Sequence, residues 1–333
     1  MRKAHALLEA VDNTFVRTTL DGTGRETIFL PGSSLRGMLR SQSERIARTL
    51  SFDRAKPIGK PYPELHEYNY DAYTNYVAAC DPLAMEGDET EPDETPYAAI
   101  ACTNYMKSVM PEWLKQQNRQ RAEERSEFLY QKITECSCPA CLLFGNTYLA
   151  GRLKVNDAYS IESKGVDPRG ETRQRLDFVA INRFTGGVRD SAKFEAHPHF
   201  HTTNQKLRFR ANLTLTDLNL PKEGWMLGWL AYLLRDLYLG DLRLGLGKAK
   251  GLGKACGKLV KIRVGSLQPD LDWLNLSEGW QEETEQPGLL RVFALDLNGS
   301  STFEHEKQLL NRYAAQYDEL VDKYSRVRAG QER

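Results

Sequence analysis

What the sequence lacks narrows its biology first. None of its 333 residues falls in an apolar run of the roughly 18 uncharged residues that a membrane span requires. The nearest stretch, Trp225 to Leu239, is interrupted by Arg235 and Asp236. The opening MRKAHALLEAVDN has no apolar core of the signal-peptide kind. A cytoplasmic protein with no membrane partner is therefore expected. No Gly-Lys-Ser/Thr closes a glycine-rich loop, which excludes a nucleotide P-loop. No long-period repeat is present. An excess of either charge is also missing: Lys+Arg and Asp+Glu are both 45, so the total names no partner. Cysteine is scarce, with six residues, and three of them crowd into positions 136, 138 and 141. In a reducing compartment that clustering favours metal binding over disulfides.

What is present is a globular composition, 41% apolar and 27% charged. The length fits one elaborated domain or two ordinary ones. The neutral total hides two biased segments. Residues 242–263 carry seven basic side chains and no acid; residues 81–94 carry seven acids and no base. A basic patch and an acidic segment follow.

Along the chain, Ile28–Leu30 reads as the end of a strand. A helix follows Pro31-Gly32-Ser33-Ser34, because Leu35, Met38, Leu39 and Ile46 recur at helical spacing and Ser33 or Ser34 can cap it. Residues 51–135 read as an insertion: a Pro/Tyr-rich start, the acidic run, then a polar helical stretch from about Met110 to Lys132. From Arg152 short strands take over. Trp225–Leu239 reads as a buried helix. Residues 242–263 read as a glycine-rich loop entering a strand. The tail beyond Gly265 ends in a helix with two stripes, Leu310/Tyr317/Tyr324 and Tyr313/Leu320/Val327, read as core packing.

Four segments carry chemistry. In PGSSLRGMLR, free N–H groups at a helix start attract phosphate, and Arg36 and Arg40, four apart, share one helix face. In Gly245-x-Gly247-Lys248-x-Lys250-Gly251-x-Gly253-Lys254, small residues and lysines can wrap a sugar-phosphate backbone without reading bases. In Cys136-x-Cys138-x-x-Cys141, three soft ligands can hold one zinc, which wants four; Cys80, Cys102 or a histidine can supply the fourth. In the hairpin over residues 175–200, the tip Arg183-Phe184-Thr185-Gly186-Gly187-Val188-Arg189 presents an aromatic and two arginines suited to wedging against stacked bases.

Taken together these segments resemble the RAMP superfamily, specifically the "Cas seven" backbone subunits of type III CRISPR–Cas effector complexes. IFLPGSSLRGMLR, CPACLLFGNTYLAGRLKVNDA, AINRFTGG and GLGKAKGLGKACGKL look like the family's helix start, Cys-x-x-Cys segment, thumb hairpin and glycine-rich loop, in the family's order. The resemblance implies an α+β class: a modified ferredoxin-like (RRM-like) palm from residues 1–50 and 142–264, with a protruding thumb at about 175–200. It further implies a zinc-bearing insertion over 51–141 and a C-terminal extension over 265–333. It implies RNA contacts from Ser33, Ser34, Arg36, Arg40, Arg183, Phe184, Gly245, Gly247, Lys248, Lys250, Gly251 and Lys254. Ala79-Cys80-Asp81-Pro82-Leu83 resembles the family segment that supplies another ligand, so the zinc set is Cys80, Cys136, Cys138 and Cys141. The implied partners are CRISPR RNA, complementary target RNA and other Cas subunits. In active members an aspartate before the PGSS segment helps cleave target RNA with magnesium or another divalent ion. Ala10-Val11-Asp12-Asn13 resembles that loop, which makes Asp12 the catalytic position of an endoribonuclease. The alternative is a catalytically silent backbone subunit that only holds the guide–target duplex.

Overall fold

The computed structural model describes residues 17–19, 26–54, 79–80, 82, 101–116, 122–161, 171–173, 176–196, 199–201, 207–216, 218, 223–245, 247–266, 281–283, 291–297, 311 and 313–322. Helices and short antiparallel strands alternate among them, the mixed class expected. The order begins with strands β1 (Arg17–Thr19) and β2 (Glu26–Leu30) and the long helix α1 (Gly32–Arg54). Helices α2 (Cys102–Gln116), α3 (Ala122–Glu135) and α4 (Pro139–Phe144) follow. Next come β3 (Leu153–Val155), β4 (Ala158–Ser160), β5 (Glu171–Arg173), β6 (Leu176–Ile181), β7 (Val188–Ala196), β8 (His199–His201), β9 (Phe209–Arg210) and β10 (Leu213–Leu215). Helix α5 (Trp225–Leu239) leads into β11 (Leu242–Arg243), a 3-10 turn (Lys248–Lys250) and β12 (Lys254–Ala255). The described chain closes with β13 (Lys261–Ser266), β14 (Gln281–Glu282), β15 (Arg291–Asp296) and helix α6 over 313–322. No described helix is long and apolar enough to cross a membrane.

A four-stranded antiparallel sheet runs in the order β1-β2-β4-β9. Its register pairs Leu30 with Ala158 and Ser160 with Phe209, while Phe29 pairs with Tyr159 and Tyr159 with Arg210. Alternation sends Leu30, Ala158 and Phe209 to the core and leaves Tyr159 and Arg210 exposed, as a sheet with one solvated face requires. Helix α1 covers the inner side. Its buried Leu35, Met38, Leu39, Ser43, Ile46 and Ala47 fall on one stripe of a 3.6-residue period.

Helix α5 is the centre of the core. Trp229 is fully buried, donates its indole N–H to the Ser43 carbonyl of α1 at 3.2 Å, and stacks on Tyr317 with centroids 5.2 Å apart. Gly228 makes this possible: a Cβ there would collide with the backbone of Tyr313, so α5 and α6 touch nearly backbone to backbone. Replacing Trp229 with Ala would cost about 3–5 kcal/mol by cavity formation. Expectation and structure part in three places. Arg235, Tyr238 and Leu239 of α5 are exposed, so this helix is buried on one side rather than all round. In α6 the buried positions are Tyr313, Tyr317 and Val321, a spacing of four, with Leu320 half-buried against the same core; Leu310, Tyr324 and Val327 lie outside the described residues. The polar stretch expected near 110–132 is two helices, α2 and α3, and begins at Cys102.

Candidate functional site

The first site is a cysteine centre. Cys138 caps the start of α4 in an extended conformation (φ −65°, ψ 159°), Pro139 follows, and Cys141 lies one turn on. Proline is preorganised for a first helical position, so the Cys-Pro-x-Cys run fixes two sulfurs on one side of a helix start. Cys102 opens α2 and Cys80 arrives from the short stretch at 79–80. The sulfurs of Cys80, Cys102, Cys138 and Cys141 all lie within 4.8 Å of one another, and all four residues are buried. The Cys80 and Cys141 sulfurs are 3.6 Å apart. A zinc–sulfur bond of about 2.3 Å gives a tetrahedral edge of about 3.8 Å, so the donor set fits a metal such as zinc. The backbone N–H of Cys80 points at the Cys138 sulfur and that of Cys138 at the Cys102 sulfur, each at 3.4 Å. Hydrogen bonding with Cys138 holds the Cys102 thiol far below its usual range, while hydrogen bonding with Cys102 pushes the Cys138 and Cys141 thiols far above theirs. Four sulfurs this close cannot all ionise without a cation between them.

The quartet corrects the expected ligand set in one member. Cys136 is buried but belongs to the preceding element: its N–H closes the last turn of α3 on the Lys132 carbonyl at 3.0 Å. Cys102 stands in the group instead. Sequence spacing favoured Cys136 because it is near; the fold brings in Cys102 from 36 residues away.

Helix α1 ties itself to this centre. Arg36 donates to the Phe144 carbonyl. Arg40 donates to the Gly145 carbonyl at 2.9 Å, to Glu44 at 2.8 Å and toward the Cys141 sulfur at 3.7 Å. Arg48 reaches the Cys80 carbonyl at 2.8 Å and pairs with Glu44 at 3.6 Å. The buried Glu44 thus braces two arginines that reach the cysteine-bearing segments, and the guanidinium groups of Arg36 and Arg40 satisfy carbonyls at the end of α4, where cations belong. At the start of α1, Ser33 and Ser34 are exposed within the first turn rather than capping it. The cap is the Asp157 carboxylate, which accepts from the Gly32 N–H at 2.7 Å. No local pattern announces a cap that comes from 125 residues away, and Glu44 likewise carried no signal beyond its spacing of four from Arg40 and Arg48.

The second site is basic and exposed. Gly247 and Gly251 flank the 3-10 turn in the left-handed region (φ 74° and 84°), which only glycine adopts readily. The Gly247 carbonyl accepts from Lys250 and Leu252. Gly245, Lys248, Lys250, Gly251 and Lys254 are all exposed. The Lys250 ammonium sits 3.5 Å from the centroid of the Phe178 ring on β6, a cation–π contact that seats the loop against the hairpin formed by β6 and β7. At the tip Asn182 accepts from the Phe184 and Thr185 N–H groups and its own N–H bonds the Gly187 carbonyl. The tip is a pinned turn, and it holds Phe184 at 100% exposure. Arg183 is exposed beside it. Asp12 lies outside the described residues.

The family described as the RAMP superfamily matches residues 7–256. Among solved structures the chain is similar to one titled "CRISPR RNA-guided surveillance complex, pre-nicking", at 12% identity over 93% of this chain and 84% of that one, with a TM-score of 0.34. No curated protein matches the sequence.

Proposed function

The chain belongs to the RAMP superfamily, and from that premise we propose that it is a CRISPR RNA-binding backbone subunit of a type III effector complex. The observation that carries this reading is the Lys250–Phe178 contact. It joins the acid-free glycine-rich loop to the base of the hairpin that projects Phe184. Phosphate-gripping lysines are thereby anchored to the hairpin that carries a base-wedging aromatic, a combination suited to holding a backbone without reading its sequence. On this reading residues 1–50 and 142–264 form the ferredoxin-like palm, 51–141 the metal-bearing insertion and 265–333 the C-terminal extension. The contacts of α1 with β3, α4 and α5 agree with a palm built from two separated segments.

The cysteine quartet is a structural zinc site. With four sulfurs as ligands no position is left for substrate; zinc there supplies a cross-link between the 80, 102 and 138–141 segments. The partners are CRISPR RNA, complementary target RNA and other Cas subunits, in the cytoplasm.

The proposed reaction is transesterification. The RNA 2′-OH attacks the adjacent phosphate as its proton passes to the Asp12 carboxylate; the P–O5′ bond breaks and the 5′ oxygen leaves with a proton from water, giving a 2′,3′-cyclic phosphate and a 5′-OH. Positioning of an unstacked nucleotide in line supplies much of the rate, and cleavage is expected to require magnesium or another divalent ion. The test is incubation of the assembled complex with end-labelled complementary RNA and Mg²⁺. Asp12→Ala is expected to abolish one cleavage position while complex assembly and RNA binding persist. Unchanged cutting at every site removes Asp12 from the chemistry. A parent complex that never cuts at this subunit's position establishes the silent backbone subunit instead.

A further inference from the structure

The open face of the β1-β2-β4-β9 sheet carries a feature that the loop and hairpin do not account for. Phe29 on β2 and Tyr159 on β4 are cross-strand neighbours whose rings stack, with centroids 5.7 Å apart and planes inclined by 28°. Tyr159 is 40% exposed although its register neighbours Leu30 and Ala158 point inward. The next strand along sets Arg210 opposite Tyr159. Two residues on, Ile161, 41% exposed, bonds through its N–H to the Arg208 carbonyl, and Arg208 is exposed. By the alternation of strands, Phe29, Tyr159, Ile161, Arg208 and Arg210 all belong to the same outer face. Exposed Tyr159 beside half-buried Phe29 leaves aromatic surface in water at a cost in hydration free energy, and two arginines beside it give the patch one sign of charge. Among the described residues no acid pairs with either arginine.

We propose that this sheet face is a second RNA-binding site, a stacking platform that holds an unpaired base on Tyr159 while Arg208 and Arg210 hold the adjoining phosphates. The inference rests on the RNA-binding reading above and adds to it a separate surface and a preference for single strands. An aromatic face takes any base, because every base has a π-face, whereas a paired base has both faces already stacked. Arginine suits the flank because its planar group binds phosphate bidentately. The charge of the patch and its arrangement as ring, then cation, select RNA over an apolar protein partner. A second copy of this chain would bring its own arginines against these.

The test uses the full-length chain and two probes of equal length, an unstructured single-stranded RNA carrying 5-iodouridine and a blunt duplex RNA. Irradiation is expected to cross-link the single strand to the peptide containing Tyr159. Tyr159→Ala is expected to weaken single-strand binding about tenfold, the effect of losing one stacked base, with duplex binding unchanged and Tyr159→Phe close to the parent. Arg210→Glu provides an independent variant and is expected to act in the same direction. Full affinity in both Tyr159→Ala and Arg210→Glu, with cross-links confined to the 245–254 loop, overturns the platform and leaves the backbone-subunit reading intact. A parent chain that binds neither probe overturns both. A cross-link between two copies of the chain through this face assigns it to self-association and overturns the platform.

Discussion

The cysteine centre and the loop-and-hairpin surface are opposite solutions to placing charge. In the first, four sulfurs, Glu44 and parts of three arginines are packed within the core, and most polar atoms there have a named partner in a fixed place. In the second, lysines and an aromatic stand in solvent on glycine-shaped turns. A buried charge without its partner is costly, so the first region is held together by necessity. Apart from the Lys250–Phe178 contact, these exposed lysines contribute little to the fold, so the second is free to be chosen for a ligand. Substitutions in the two regions should therefore separate cleanly: stability and metal content on one side, RNA affinity and salt dependence on the other.

The largest effect is expected at Cys102. Cys102→Ser removes one of the four sulfurs; if the quartet holds the proposed zinc, the protein should purify without it and lose about 10 °C in thermal midpoint, since metal binding to such a site is folding free energy. Cys136→Ser is the paired control. It should keep one zinc per chain and shift the midpoint by a few degrees at most, about 1 kcal/mol for an average buried substitution. Elemental analysis and thermal scans decide the matter. Zinc lost from Cys136→Ser and kept in Cys102→Ser would reverse the assignment. Chelation of the parent should reproduce the Cys102→Ser midpoint.

Arg40 straddles the comparison. Its side chain is 21% exposed and it donates to Glu44, to Gly145 and toward Cys141. Arg40→Gln should cost about 2 kcal/mol, because hydrogen bonds to charged groups are the strong kind and Glu44 would lose a partner. It should also speed zinc loss to a competing chelator. If Arg40 grips phosphate as well, the slope of RNA affinity against salt will fall by about 0.7; a stable, metal-retaining variant with that lower slope would mean its principal role lies on the RNA side. The triple variant Lys248→Ala/Lys250→Ala/Lys254→Ala should lower the thermal midpoint by only about 2–3 °C, the loss of the Lys250–Phe178 cation–π contact. It should weaken unrelated RNAs equally and flatten the salt slope by about 2. An unchanged slope would remove these lysines from the phosphate path.

Legibility in the sequence followed the same division. Local patterns were readable where one segment carries its own reason. The stripe of Leu35, Met38, Leu39 and Ile46 gave α1, the apolar run gave α5 with both ends at Trp225 and Leu239, and Gly186 with Gly187 gave the hairpin tip. What depended on distant partners was not readable. Spacing alone could not prefer Cys102 to Cys136, because the choice is made by where α2 and α3 pack. Ser33 and Ser34 looked like caps, yet Asp157 occupies that place from across the sheet. The carbonyls that Arg36 and Arg40 reach, those of Phe144 and Gly145, are more than 100 residues away, so nothing in their own segment announced those contacts. The Phe29–Tyr159 pair was invisible for the same reason: its strands are neighbours only in the folded sheet.

The smallest effect on the fold, and the sharpest test of the comparison, is expected at Phe184. The residue is fully exposed at the tip of a turn whose hydrogen bonds come from Asn182 and the backbone. Removing the ring leaves every one of those bonds in place, so Phe184→Ala should alter stability by less than about 0.5 kcal/mol in either direction. Its N–H still donates to Asn182, so the turn keeps its shape and presents a methyl group where the ring stood. Any loss of affinity is then a property of the ring alone. If the ring wedges against a base, affinity for RNA should fall about tenfold, while the salt slope stays as in the parent because no phosphate contact is lost. That pattern is the inverse of the lysine variant, which changes the slope. Equal affinity of Phe184→Ala and parent for both single-stranded and duplex RNA would mean the tip meets something other than nucleic acid. A fall in thermal midpoint of several degrees would show instead that the ring packs against part of this chain.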